Sequence, residues 1–306
     1  MCKYEARTEP VLRELCLLGD GWEPPEGYEA GLGAEGVTLR REPAESEPKA
    51  ETEADSAADE YEAETKGNER SGTVPSTGRE SCLFLTWDAA LCRRLREEGR
   101  AVLLAAKEEG LETLPWDIPQ VVTEPFSLTV GELEQLFRRQ KGLPLVIAET
   151  ERLLIRETVS EDLEALRKIY REEQKNPYIF SLFGGRMGVE GLADYRRAQY
   201  EFYGFGMWSL CLRQNGEVIG RLGFSCGAEP ELLELGYLLA SRYRRRGYAK
   251  EAAARLLSLA KEQSWGSRVQ VRTGTDNTAS RRLAAALGFT LREESGGTCI
   301  YERSLG

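Results

Sequence analysis

A long acidic segment sets the first limit on what this chain can fold into. Residues 42–80, EPAESEPKAETEADSAADEYEAETKGNERSGTVPSTGRE, contain almost no large apolar side chains. Such a segment cannot bury enough apolar surface to offset the entropy of ordering it. We therefore interpret residues 42–80 as an acidic disordered linker; an acidic interaction tail is the functional alternative. The 306-residue chain must build its hydrophobic cores on either side of this segment.

Charge is distributed unevenly along the chain. Residues 1–80 carry 20 acidic and 9 basic side chains, a net charge of −11, whereas the net charge of the whole chain is −10. Residues 151–306 carry 20 acidic and 24 basic side chains, a net charge of +4. This mildly basic half could receive an anionic ligand. No nucleic-acid partner is expected, because the whole chain is acidic and its basic residues do not interleave with aromatic ones.

Histidine is absent from the sequence. Its absence excludes Ser-His-Asp hydrolysis, histidine metal sites and histidine acid–base chemistry, so proton transfer must use Glu, Asp, Tyr, Cys, Lys or water. The seven cysteines form no C-x-x-C pair, which is typical of free thiols in a reducing cytosol. No apolar run approaches the ~18 residues of a membrane span, and the N-terminus lacks the apolar stretch of a secretory signal. We therefore expect a cytoplasmic protein without membrane contact.

Strands alternate with helices over residues 81–147. The stretches SCLFLTW, AVLLAA and QVVTE have strand-like patterns, and DAALCRRLREEG and TVGELEQLFRRQKG have helix-like ones. The alternation predicts a small Rossmann-like α/β unit with parallel strands. It has no glycine-rich phosphate loop, and Asp88 is interpreted as a helix cap, so we assign this unit no activity. Residues 1–41 are uncertain: VLRELCLLGDGW is consistent with a short helix and GVTLRR with a short strand.

A mixed α/β pattern runs over residues 148–306. It contains a strand (RLLIRET), a helix (SEDLEALRKIYREE) and a hairpin (MWSLCLRQNGEVIGRLGFS) with an Asn-Gly turn. The next strand, LLELGYLLA, leads into the basic sequence RRRGYAKEAAARLL. A strand (RVQVRT), a helix (NTASRRLAAAL) and a last strand (TCIYERSL) follow. This order predicts an α+β domain.

The basic sequence that starts at Arg244 has the chemistry of a phosphate site. The first N–H groups of a helix have no intrahelical partner and lie at the positive end of its dipole, so they suit an anion. Gly247 lacks a Cβ where the backbone must approach the oxyanion, and Ala249 keeps the next position small. The neighbouring arginines add charge-assisted contacts. A basic helix start that is merely solvated is the alternative.

Two motifs in this domain resemble those of the GNAT acyl-CoA-dependent N-acyltransferases. Residues 244–249, RRRGYA, fit the pyrophosphate signature Gln/Arg-x-x-Gly-x-Gly/Ala, and the order of strands and helices is similar to the GNAT order. NTASRRLAAALGF resembles the Asn-x-x-Ser-x-x-Leu…Leu-Gly-Phe run that follows the fifth strand of the family. TERLLIRE and ELGYLL look like strands of the RimJ/RimL branch, which acetylates protein N-terminal amines. The resemblance covers residues ~148–306 and implies a GNAT fold with a mixed, splayed central sheet. The unit before it faintly resembles haloacid-dehalogenase-like fragments.

The resemblance also implies where the donor, acetyl-CoA, binds as a co-substrate. In the family, the strand that holds the signature splays from the next strand and exposes main-chain groups to the pantetheine and the thioester. The residues implied to contact acetyl-CoA here are Tyr237, Leu238, Leu239, Arg244, Arg245, Arg246, Gly247, Tyr248, Ala249, Lys250 and Asn277. Asn277 is also interpreted as a helix N-cap, and both roles are compatible.

Proton transfer has fewer candidates. Several family members carry a glutamate base at the position of Glu234; a structural ion pair with Arg221 is the alternative. Many members carry a tyrosine acid where this chain has Ala284, so the usual acid is missing. The motif position of Ser280 implies that it hydrogen-bonds the sulfur, and water could also protonate this good leaving group. Tyr301 is a weaker acid candidate that is better explained as a core residue.

The expected reaction is transfer of an acetyl group from acetyl-CoA to a primary amine, without a metal. A protein N-terminal amine is the leading acceptor and a small-molecule amine is close behind. A non-catalytic acyl-CoA-binding regulatory module is the alternative of another class. The aromatic segment YEFYGFGMW, residues 200–208, could line an acceptor groove. The alternative is that Phe202 and Trp208 pack in the core, and a core position is the favoured interpretation for Trp208. The oligomeric state is left open.

Overall fold

A computed structural model describes residues 11–42, 80–114, 120–172 and 188–306. Residues 43–79 of the predicted linker 42–80 lie outside the described residues, whereas Glu42 ends a strand and Glu80 is in a turn. The described chain forms two compact units, residues 11–141 and 142–306.

The first unit contains a five-stranded sheet in which all neighbouring strands are parallel. Its strands are β1 (Glu14–Leu18), β2 (Thr38–Glu42), β3 (Cys82–Thr86), β4 (Ala101–Ala105) and β5 (Val121–Val122), in the order β2-β1-β3-β4-β5. Its helices are α1 (Tyr28–Ala34), α2 (Ala89–Glu97) and α3 (Val130–Gln140). This is a doubly wound strand order, in agreement with the Rossmann-like expectation.

Two helix starts in this unit follow directly from the sequence. The Asp88 carboxylate accepts hydrogen bonds from the N–H groups of Ala90 and Leu91, at 2.7 and 3.2 Å, and so caps α2. Thr129 and Glu132 form a reciprocal capping box at the start of α3. Asp88 is therefore a helix cap, as expected.

The first unit begins earlier than the sequence indicates. The stretch interpreted as a short helix contains the strand β1, and β1 pairs with β2 on one side and β3 on the other. Residues 15–18 are all buried. A central parallel strand buries both of its faces, so its apolar residues run continuously and show no alternation. The unit ends at Lys141, not at residue 147, because the strand that follows joins the other sheet.

The second unit contains an eight-stranded mixed sheet in the order β12-β13-β11-β10-β9-β8-β7-β6. Its strands are β6 (Val146–Glu149), β7 (Leu153–Arg156), β8 (Met207–Leu212), β9 (Val218–Cys226), β10 (Leu232–Leu239), β11 (Arg268–Gly274), β12 (Thr290–Ser295) and β13 (Thr298–Ser304). Its helices are α4 (Leu163–Glu172), α5 (Val189–Tyr195), α6 (Tyr248–Glu262) and α7 (Thr278–Ala286). The sheet is antiparallel except for the pair β10–β11, so the predicted mixed α+β class is confirmed.

Each face of this sheet has its own core. Leu233, Leu235 and Leu239 of β10 pack with residues of α6 and α7, whereas Leu238 packs with residues of α4 and α5. Odd and even residues of β10 therefore point to opposite faces, as the two-residue period of a strand requires. The edge strands β6 and β12 were not predicted from the sequence.

Candidate active site

The sheet of the second unit is split between its two parallel strands. β10 and β11 pair at three positions, and Glu234 opposite Gln270 is the last of them. Beyond it, β10 stays paired with β9 as far as Leu239, and β11 stays paired with β13 as far as Gly274. The inner edges of the two strands thus separate, and main-chain groups of β10 face the opening. The predicted splay lies between these strands.

The loop from β10 to α6 ends at a helix start of unusual geometry. Gly247 has φ +84° and Arg245 has φ +59°, both in the left-handed region. The N–H of Glu251 makes the first bond of the helix, to the Gly247 carbonyl at 3.0 Å. The N–H groups before it in the first turn are outside the helical ladder and suit an anion. The side chains of the three arginines and of Lys250 are exposed there.

Arg152, which no motif in the sequence indicates, holds the loop between β10 and α6 in place. Its Nη1 donates to the carbonyl of Arg246 at 3.0 Å, and its guanidinium lies 4.4 Å from the centre of the Tyr248 ring. Its Nε and Nη2 reach one oxygen of Glu251, at 2.7 and 2.6 Å. The Gly247 position is close too, because a Cβ there would lie 3.2 Å from Arg152 Nη2. The start of β7 therefore fixes the backbone of the proposed phosphate loop.

Glu251 is the acidic half of this brace. Its other oxygen accepts from the Thr150 hydroxyl at 2.6 Å and from the Arg152 N–H at 3.0 Å. Partial burial disfavours the carboxylate, but the hydrogen bonds from Thr150 and Arg152 outweigh it and lower the pKa of Glu251.

Leu238 and Leu239 can contribute only main-chain groups to the opening. Both side chains are buried in the cores. The carbonyl of Leu239 accepts from Nε of Arg244 at 3.0 Å, so this arginine ties the loop back to the end of β10. Ala249 is half-buried in the helix start, as its small size permits.

Glu234 lies at the vertex of the split. Gln270 Nε2 donates to its Oε2 at 2.7 Å, and Nε of Arg272 is 4.0 Å from the same oxygen. Among the described residues, both contacts use Oε2 and leave Oε1 for another partner. The side chain is 18% exposed, so an incoming group can reach it.

The alternative ion pair between Glu234 and Arg221 is wrong. Arg221 is paired across the sheet with Leu238, whereas Glu234 is paired with Ser225. The Arg221 guanidinium donates to the carbonyl of Met207 at 2.6 Å and stacks on the ring of Tyr195. The sequence does not reveal the register of β9 and β10, and that register separates the two charges.

Ser280 lies at the other side of the split, on the first turn of α7. The Asn277 side-chain oxygen accepts from the Ser280 N–H at 3.1 Å, so Asn277 is the N-cap of α7. The hydroxyl oxygens of Ser280 and Tyr237 are 2.5 Å apart. Burial raises the pKa of Tyr237, although the hydrogen bond with Ser280 opposes the rise.

Ala284, at the position of the usual acid, and the weaker candidate Tyr301 both lie in the core. Ala284 is buried and contributes no polar group. Tyr301 is also buried, as expected, and its hydroxyl accepts from Nε of Arg281 at 3.1 Å.

The aromatic segment before β8 is divided between core and surface. Tyr200 and Trp208 are buried, which confirms the core role of Trp208, but Phe202 is 78% exposed, so a core role for Phe202 is wrong. Phe202 and Tyr203 line an open depression of about 480 Å³ together with residues of α5 and of the π-helical turn Arg196–Glu201. A groove-lining role remains open to Phe202.

In the described part of the chain, no helix is both long and apolar enough to cross a membrane. The one cluster of potential metal ligands among the same residues, Glu14, Cys16 and Cys82, lies in the first unit.

Comparison with known proteins gives matches to the second unit. Residues 152–290 match the sequence profile of the acetyltransferase (GNAT) domain. YjdG of Bacillus subtilis, an uncharacterized N-acetyltransferase, is 32% identical over 30% of this chain and 55% of its own length. YoaA of the same organism, also an uncharacterized N-acetyltransferase, is 27% identical over 47% of this chain and 82% of its own. The chain thus spans little more than half of YjdG.

A solved structure is similar as well. RimL, a ribosomal L7/L12 alpha-N-protein acetyltransferase, in complex with coenzyme A, is 19% identical with a TM-score of 0.43. The match covers 52% of this chain and 98% of RimL.

Proposed function

We propose, because residues 152–290 match the acetyltransferase (GNAT) domain, that this protein transfers the acetyl group of acetyl-CoA to a primary amine, and that the amine is the N-terminus of a protein. One observation carries the proposal: the split between β10 and β11 has a carboxylate, Glu234, at its vertex and opens toward the anion-binding start of α6.

The residues around the split fit such a donor. The diphosphate would lie on the N–H groups of the first turn of α6, where Gly247 leaves room and the arginines supply positive charge. The amide groups of pantetheine would pair with the free main-chain edge of β10, next to Tyr237. When bound, acetyl-CoA supplies a thioester activated toward amines. Side chains at both ends of the opening then handle the protons, and the proposed chemistry uses no metal ion.

Glu234 is the proposed general base. Gln270 fixes one carboxylate oxygen, and the other is available to accept a proton from the ammonium group directly or through water. Main-chain N–H groups at the edge of β10 would polarise the thioester carbonyl. Ser280, positioned by the Asn277 cap, would donate to the leaving sulfur.

The acceptor proposal rests on the RimJ/RimL-like strand sequences and on the surface beside Glu234. Even residues of β10, including Glu234, face the side of the sheet on which α5 packs. Phe202 and Tyr203, just after α5, expose aromatic surface that an extended peptide can contact. A cytosolic location, inferred from the cysteines, belongs to the same proposal and is tested by cell fractionation.

The test is a measurement of free-thiol release from acetyl-CoA with three acceptor classes: peptides with free N-termini, the same peptides with blocked N-termini and an internal lysine, and small-molecule amines. We expect turnover with free N-termini and a mass increase of one acetyl group at that position. Turnover only with small amines would overturn the acceptor proposal. Binding of acetyl-CoA without turnover by any amine would favour the regulatory module.

Glu234→Gln tests the base. Acetyl-CoA binding should change little, and the rate should fall by ~10²–10⁴, the usual contribution of a general base. The deficit should shrink as pH rises, because more of the amine is already neutral. Glu293→Gln, which alters an exposed carboxylate on β12, is the matched control and should keep the wild-type rate. A near-normal rate with a lowered melting temperature would make Glu234 a scaffold residue.

A further inference from the structure

The hydrogen bond between Tyr237 and Ser280 joins the two arms of the split. Tyr237 lies on β10, beyond the last position paired with β11, and Ser280 lies on α7, which follows β11 in the chain. Their hydroxyl oxygens, 2.5 Å apart, meet where the strands have already separated. The hydroxyl of Tyr301, the tyrosine that the sequence offers as an acid candidate, accepts instead from Nε of Arg281.

Neither hydroxyl is a solvated surface group. Ser280 is 5% exposed, and its backbone N–H is held by Asn277. Tyr237 is half-buried and packs against the core shared with α6 and α7. A phenol is a stronger hydrogen-bond donor than an aliphatic alcohol. The favoured arrangement therefore has Tyr237 donating to the Ser280 oxygen, which leaves the Ser280 hydrogen free to point elsewhere.

We propose that Tyr237 is a positioning residue that acts through Ser280 on the leaving sulfur of the donor. This inference rests on the proposed acetyl transfer. Many family members have a tyrosine on α7 where this chain has Ala284. The inference places a phenol near the sulfur from β10 instead.

The proposed step balances as follows. The amine nitrogen forms its bond to the thioester carbonyl carbon, the C–S bond breaks, and sulfur keeps the electron pair. Ser280 gives its hydroxyl proton to sulfur and receives the phenolic proton of Tyr237. Glu234 passes to solvent the proton that it took from the ammonium group before the attack, and the nitrogen releases a second proton to solvent once the C–N bond has formed. Tyr237 regains a proton from solvent, so one proton is released overall. Because burial raises the pKa of Tyr237, the phenol stays protonated at neutral and mildly alkaline pH.

Kinetics of single and double variants test whether Tyr237 acts through Ser280. Tyr237→Phe should lower kcat by ~10- to ~100-fold, the range of a hydrogen bond to a group that becomes charged, and leave the Kd of acetyl-CoA within ~3-fold. In the double variant Tyr237→Phe/Ser280→Ala, kcat should equal that of Ser280→Ala alone. Tyr237 acts only through Ser280, so its hydroxyl contributes nothing once Ser280 has been replaced. Tyr301→Phe, the matched control, removes a hydroxyl that is buried and hydrogen-bonded elsewhere in the same core, and should keep kcat within ~2-fold.

A second readout needs no turnover. The thiol pKa of bound CoA can be followed by thiolate absorbance during a pH titration of the full-length protein. Donation from Ser280 stabilises the thiolate, so we expect a lower thiol pKa on the wild type than on Tyr237→Phe or Ser280→Ala.

The outcomes separate the two proposals. If the wild type acetylates no amine but the thiol pKa rises in both variants, acetyl transfer fails and the Tyr237–Ser280 arrangement stands. If the wild type turns over and Tyr237→Phe has wild-type kcat and thiol pKa, the inference is overturned and acetyl transfer stands. Tighter acetyl-CoA binding by Tyr237→Phe at unchanged kcat would also overturn the inference. That result would mean that the Tyr237–Ser280 hydrogen bond closes the split and must break before the donor binds.

Discussion

Gly247 combines a left-handed backbone conformation with a position in the proposed acetyl-CoA loop. It has φ +84°, and an added Cβ would lie 3.2 Å from the Arg152 guanidinium. Gly247→Ala should therefore strain the loop and move the arginine that braces it. We expect at least a ~10-fold loss of acetyl-CoA affinity, about 1.4 kcal/mol, measured by calorimetry.

Gly288 provides the matched control for this substitution. It has a similar φ of +79°, but a Cβ there would meet nothing within 4 Å. Gly288→Ala should cost about 1–2 kcal/mol of stability for the left-handed backbone and leave the affinity unchanged. Equal affinities for the two variants and the wild type would remove Gly247 from the donor site.

At the residue scale, the sequence allowed prediction of side chains that belong to a local motif. It did not reveal side chains that reach the same site from a distant part of the chain. Gly247, Asn277 and Ser280 could be proposed from the sequence because their spacing fits a local motif. Arg152 is ~100 residues from the loop that it braces and is an ordinary strand residue in the sequence. The partner of Glu234 was predicted wrongly, because the sequence does not reveal the register of β9 and β10. That register places Arg221 opposite Leu238, four residues along β10 from Glu234.

At the element scale, the start of β7 and the start of α6 are joined by the Arg152–Glu251 pair. Arg152→Ala removes the hydrogen bond to the Arg246 carbonyl and the stacking on Tyr248. Together these are worth roughly 1–2 kcal/mol, so acetyl-CoA affinity should fall about tenfold. Arg255→Ala, which breaks an exposed ion pair with Glu262 on the same helix, should leave the affinity within ~2-fold. The assignment fails if both variants bind alike.

The same pair gives a pH dependence of defined sign. The pKa of Glu251 in the folded protein is below its ordinary value of 4.5, so its contribution to stability is complete above that value. The contribution is lost as pH falls through the folded pKa. The difference in unfolding free energy between the wild type and Glu251→Gln should therefore be constant near pH 7 and shrink below about pH 4.5, measured by denaturant titration. A difference that grows on acidification would contradict this assignment.

Elements with a clear period or cap were predicted well, and those without were not. Helices α2 and α3 have capping side chains and apolar periodicity, and both lie where expected. β1 has neither alternation nor flanking strands close in sequence, so it was mistaken for a helix. The exposed strand β12 offers no buried face to reveal it.

At the scale of the whole molecule, residues 43–79 connect two strands of one sheet and do not separate two domains. β2 and β3 lie on either side of β1. Protease should cut this segment first, as its composition indicates. The cut chain should give two bands on a denaturing gel but elute as one species from a native sizing column. β1 stays paired with β3 along five positions, and Cys16 and Leu18 share a core with Phe84 and Leu91.

The same digest run in urea provides the control, because there the two pieces should elute apart. Separate elution without denaturant would show that the sheet of the first unit is not held across the cut. The sequence could not predict this arrangement, since a low-complexity stretch looks the same between two domains as within one.

The split sheet also bears on solubility. A strand whose edge is open in mid-sheet presents the same unpaired amide groups as the rim of any sheet, and such rims recruit other extended chains. In this protein the exposed rim is internal, and the ligand proposed to occupy it carries amides of its own. A donor bound as proposed would therefore also cover these amide groups, and we expect the protein without donor to self-associate more readily than the donor-bound protein.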